Sequence, residues 1–141
     1  MKKTVLSLLV VMLFGIAAAA RQQTPPSPEE LEKKMYESID KKVQFLSEYL
    51  TLEYWQEFYV DSILNYNYHA MMDELTELQN AKVGNTSIYI DVQNKWNDAT
   101  HEAFHKVFND TQWGKYLKTG DARAKLARDK KAAKAKKQQG S

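Results

Sequence analysis

Apolar residues recur along most of this chain at intervals of three or four, the spacing that gathers them on one side of an α-helix. Leu31, Met35, Ile39, Val43, Leu46 and Leu50 form such a stripe and predict a first helix over residues 28 to about 49. Its start is marked by type: Ser27 can cap, Pro28 suits the first helical position, and Glu30 follows Ser27 by three to close a capping box. Thr51, after Leu50, reads as the cap of a second helix reaching about residue 81, on the order of 45 Å long at 1.5 Å per residue. Its first half carries two apolar faces. Trp55, Phe58, Tyr59, Ile63 and Tyr66 lie on one side; Val60 and Leu64 lie on the other, continued by Met71, Leu75 and Leu78. A helix apolar on both sides is usually central in a bundle; the alternatives are a dimer seam or a surface for clients.

Residues 83–86, with Gly84 and Asn85, read as a turn, and a third helix follows to about residue 108 with the stripe Tyr89, Val92, Trp96, Ala99, Ala103 and Val107. Asn109 caps a short fourth helix carrying Trp113, Tyr116 and Leu117, which Gly120 stops. Strand-like alternation never persists, and Gly and Pro keep to linker and turn positions. The expected fold is therefore all-α: three main helices plus a short fourth over residues 28–118, as an antiparallel bundle or a thin helical layer. Residues 119–141 form a basic Ala/Lys-rich tail, expected as a frayed, solvated helix.

Ahead of these elements stand the three parts of a secretory signal: Lys2 and Lys3, an apolar run over residues 5–16, and alanines from Ala17 to Ala20. Cleavage after Ala20 is expected, leaving a Pro-rich linker at 21–27, a periplasmic or secreted protein, and no membrane span in the mature chain. No cysteine is present, so the core must hold without disulfides. Without residues 1–20, Lys+Arg falls to 18 against 18 Asp+Glu, but the charge is uneven. Residues 21–114 carry 8 basic and 16 acidic side chains; residues 115–141 carry 10 basic and 2 acidic. An acidic body with a basic tail can draw the tail to anionic surfaces or to the body itself. Export makes nucleic acid the least fitting partner.

His101, Glu102, Ala103, Phe104 and His105 spell H-E-x-x-H, which in zinc proteases sets two metal ligands one helical turn apart beside a general base. Counting about 100° per residue from Trp96, the stripe lies within about 60° of zero and the two histidines at about 140° and 180°. They are expected in solvent, away from the core that would enclose a catalytic metal. Asn109, Asp110 and Thr111 stand where a metzincin extension would continue, and no strand borders a cleft. The expectation is no enzyme. Zinc at His101 and His105, with Glu102 and Asp98 nearby, is the one cofactor reading, and coordinatively incomplete. Asn85-Thr86-Ser87 and Asn109-Asp110-Thr111 fit the glycosylation sequon but read as helix starts.

Leu50-Thr51-Leu52-Glu53-Tyr54 and Phe108-Asn109-Asp110-Thr111-Gln112 make a pair of helix starts. They resemble the L-T-x-x-Q motif repeated in the Spy/CpxP family of small helical periplasmic proteins, and the aromatic helix between them is similar to that of secreted Bacteroidetes relatives. Tyr54 replaces the first glutamine, Phe108 and Asn109 the leucine and threonine of the second copy, and Gln112 is retained. The resemblance implies a thin, curved helical dimer that binds unfolded proteins without ATP or restrains an envelope stress sensor, with zinc bound in some members. It places clients on apolar side chains mixed with basic ones, here Trp55, Tyr59, Tyr66, Met71 and Met72 with Lys115 and Lys118. Core packing is the competing reading for each aromatic and methionine.

Overall fold

The computed structural model describes residues 25–140. The expected signal segment, residues 1–20, and most of the linker lie outside the described residues. Five helices and no strand are present among the described residues: α1 (Pro28–Leu50), α2 (Tyr54–Asn80), α3 (Thr86–Val107), α4 (Asp110–Tyr116) and α5 (Gly120–Gln139). The protein is all-α, as its periodicity requires.

The chain divides into two compact units, residues 1–42 and 43–141. In the first, α1 opens on the expected capping box: Glu30 N donates to Ser27 Oγ at 3.2 Å and Ser27 N donates to Glu30 Oε2 at 3.1 Å. Leu31, Met35 and Ile39 of this unit are buried positions, and Val43, Leu46 and Leu50, in the second, continue the buried stripe.

In the second unit α2 packs along α3, and α3 in turn meets α5. Cross-contacts fix the direction. Gln56 reaches the Val107 carbonyl, Asn67 reaches Thr100 and Glu74 reaches Trp96, so numbers rise on α2 as they fall on α3 and the two helices run antiparallel. Val60, Leu64, Met71 and Leu75 on α2 and Tyr89 and Phe104 on α3 are buried, as are Phe108, Tyr116 and Ala122. Each large side chain so buried contributes roughly 1.5–3 kcal/mol.

Both helix ends in this region rest on a left-handed residue that is not glycine. Thr51 has φ 52° and Lys82 has φ 56°. In each case the next amide bonds back five residues, Leu52 N to Ser47 O at 3.0 Å and Val83 N to Leu78 O at 3.1 Å, which closes a Schellman turn. Thr51 therefore ends α1 and does not cap α2. The cap is Glu53, two residues later.

Asn85 and Asn109 cap α3 and α4 as their type suggests. Gly120 differs from expectation: it is the first residue of α5, whose cap is Thr119. The basic tail is thus a helix. Its early turns are held to the body by fully buried Ala122 and by Arg128, which donates to Asp98 Oδ1 at 2.5 Å; from Lys130 to Gly140 every residue is exposed.

Candidate binding surface

The buried positions of α2 are Gln56, Val60, Leu64, Asn67, Met71 and Leu75, spaced by three or four, so one face of the helix is spent on the core. At about 100° per residue the second apolar set lies on the opposite side. The structure leaves that set in solvent. Tyr54 is 90 % exposed, Tyr66 71 %, Phe58 64 %, Tyr59 52 % and Trp55 49 %. The helix is not central with two covered faces; it covers one and presents the other.

The exposed rings touch one another: Tyr59 meets the edges of Trp55 and Phe58 at centroid distances of 6.1 and 5.9 Å. Near the end of α1, Phe45 and Tyr49 are exposed and stacked at 5.4 Å. Tyr49 Oη donates to the Lys115 carbonyl at 3.4 Å, which places this second pair beside α4. Acidic groups border the α2 rings. The Trp55 indole donates to Glu53, and Ser47 Oγ donates to Glu57 at 2.9 Å.

Of the residues the sequence nominated for clients, Trp55, Tyr59 and Tyr66 stand on this face and Met72 is half-buried. Met71 is corrected: at 2 % exposure it belongs to the stripe of Val60, Leu64 and Leu75 and is unavailable to any partner. Lys115 and Lys118 are exposed. Tyr54, Phe45 and Tyr49 were missed, although Tyr54 and Phe58 are separated by four residues on the side facing away from Val60 and Leu64.

The histidines also differ from expectation. The buried face of α3 is turned from the predicted stripe toward Phe104, which is 1 % exposed, because Ala99 and Ala103 carry little apolar area and Phe104 carries much. That rotation buries His101 at 8 % exposure, with its ring 4.9 Å from Trp113 and 5.6 Å from Tyr116. His105 remains exposed but lies flat on Trp113 at 4.0 Å. The two imidazoles are packing partners of one indole.

Burial pushes the His101 pKa down from 6.5; Lys125 pushes the same way, against the opposing carboxylates Glu102, Asp129 and Asp98. Its Nδ1 is buried without a hydrogen-bond partner. Among the described residues no group of three or more His, Cys, Asp or Glu is placed to hold a metal ion, so His101 and His105 gain no third side-chain ligand there. Nor is any described helix long and apolar enough to cross a membrane.

Between α2 and α4 lies the most complete polar arrangement of the unit. Gln56 Nε2 donates to Gln112 Oε1 at 2.7 Å and Gln112 Nε2 donates back to Gln56 Oε1 at 2.9 Å. Each glutamine oxygen also accepts the backbone amide of its own cap residue, Glu53 at 2.9 Å and Asn109 at 3.0 Å. Leu52, Glu53 and Gln56 therefore correspond to Phe108, Asn109 and Gln112. The paired starts noticed in the sequence exist, but the first begins two residues beyond Leu50-Thr51, with Gln56 in the role that had been given to Tyr54.

No family model, curated protein or solved structure matches the chain.

Proposed function

We propose that this is a non-enzymatic, exported binding protein that holds apolar segments of unfolded or envelope proteins without ATP. The observation that carries the reading is the row of exposed rings on α2, Tyr54, Trp55, Phe58, Tyr59 and Tyr66. A contiguous apolar surface of this kind costs solubility if it is left idle, and it suits chains that offer apolar side chains without a fixed shape. The resemblance of the paired helix starts to the Spy/CpxP pattern, and the signal-like first 20 residues, support a periplasmic or secreted setting.

The test is light scattering of an unrelated aggregating protein with and without this protein, in the absence of ATP. Suppression near equimolar ratio is expected, together with loss of suppression in the variant Trp55→Ser/Phe58→Ser/Tyr59→Ser. Exposed substitutions of this sort change stability by only about 0.5 kcal/mol each, so the variant stays folded. No suppression at several-fold excess, or equal suppression by the variant, removes the reading.

A further inference from the structure

We infer that the lysine-rich end of α5 in one copy of this chain docks on the exposed face of α2 in a second copy. The face is uncovered and lacks cations. Along α2 stand Glu57, Asp61, Asp73, Glu74 and Glu77 and no lysine or arginine. On the side opposite the buried stripe, the rings of residues 54–66 give way to Asp73 and Glu77, which are exposed.

The complementary surface is on the same chain. From Lys130 to the end of α5 there are five lysines and no acidic residue, and all of these positions are exposed. Of the three earlier basic groups, Arg128 pairs with Asp98 and Lys125 with Asp129 at 2.8 Å, while Arg123 is exposed. Ala122 and the Arg128–Asp98 pair hold the first turns of α5 to the body, and the side chains from Lys130 to Gln139 are exposed. At 1.5 Å per residue that end is about 15 Å long, short enough to lie within the face of α2, which spans about 35 Å from Tyr54 to Glu77.

The chemistry of the two surfaces matches group for group. Lysine stems can cover aromatic rings while their ammonium groups sit over ring faces or reach carboxylates. A polyanion or lipid headgroup would occupy the lysines alone and leave the rings of α2 uncovered; a second copy satisfies both. The contact and the client reading concern one face, but they are measured separately, one by mass and the other by protection of a client.

The experiment is sedimentation of protein purified after expression of the full chain, at about 10 mM and about 500 mM salt, where screening lengths are roughly 30 Å and under 5 Å. Self-association at low salt that disperses to monomer at high salt is expected. Reversing Lys130, Lys131, Lys134 and Lys136 to Glu should abolish it, and so should Asp73→Lys/Glu77→Lys. Combining the two sets should restore it. All of these positions are exposed, and circular dichroism checks that each variant keeps its helix content. A monomer at every salt concentration, association that survives the lysine reversals, or a combined variant that fails to reassociate overturns the inference. The last result would assign the lysines to another anionic partner.

Discussion

Gln56 and Gln112, fifty-six positions apart, hydrogen-bond each other in both directions while each caps the helix it opens. Every heteroatom of Gln56 is occupied, since its Nε2 also donates to the Val107 carbonyl at 3.0 Å. Replacing one glutamine leaves the other amide buried with two of its hydrogen bonds missing, which costs about 1–3 kcal/mol. Gln56→Leu and Gln112→Leu should each lower stability by that amount in urea unfolding. The double variant should lose less than the two singles together, by a coupling of about 1 kcal/mol. Additive losses would mean the clasp is two independent caps.

Thr51 holds a left-handed backbone at the end of α1, where a β-branched residue is strained and glycine is not. Thr51→Gly should raise stability by up to about 1 kcal/mol, the relief being partly offset by the greater freedom of glycine in the unfolded chain. Thr51→Val should lower it. A thermal melt that moves in the opposite direction for glycine would contradict the Schellman assignment.

His101 ties stability to pH. Its folded pKa is held below 6.5, chiefly by burial and then by Lys125, so protons bind the unfolded chain more readily than the folded one. Its contribution is complete above about pH 6.5 and is lost as pH falls through the folded pKa. His101→Phe should flatten this part of the stability profile. An NMR titration of the His101 imidazole should place its midpoint below 6.5. A midpoint above 6.5 would sink the argument.

The tail should separate into two parts. Residues 130–140 are all exposed, and truncation after Asp129 should change stability by less than about 0.5 kcal/mol. Removal of residues 120–141 also takes away fully buried Ala122 and the Arg128–Asp98 pair, and should cost about 1–2 kcal/mol. Hydrogen exchange should show amides before Lys130 protected beyond those after it. Uniformly fast exchange along α5 would show that the tail does not pack.

Much of this architecture was legible in the residues themselves. The α1 stripe lies where its spacing put it, and Ser27, Asn85 and Asn109 cap as their side chains allow, because these are local properties of a few neighbours. The shifted cap at Glu53 was not legible. Thr51 is a good capping type, but where α2 begins depends on where α1 ends, and the buried Leu50 with the turn after it decides that. The turned face of α3 was missed for a related reason. Counting positions gave Ala99 and Ala103 the weight of Phe104, whereas the packing is decided by area. On α2 both apolar faces were visible in the sequence, yet which one met a neighbour depended on where α3 packs along it.

The exposed rings of α2 have one more consequence. Tyrosine, tryptophan and phenylalanine turn about only two side-chain bonds, and here they stand on a regular helix whose first turn is pinned by Gln56. A partner that settles on them takes little torsional freedom from this protein, so nearly all the ordering loss falls on the partner. Two peptides with the same side chains, one floppy and one stiffened in its bound shape, would then differ in affinity by the freedom the peptide itself gives up.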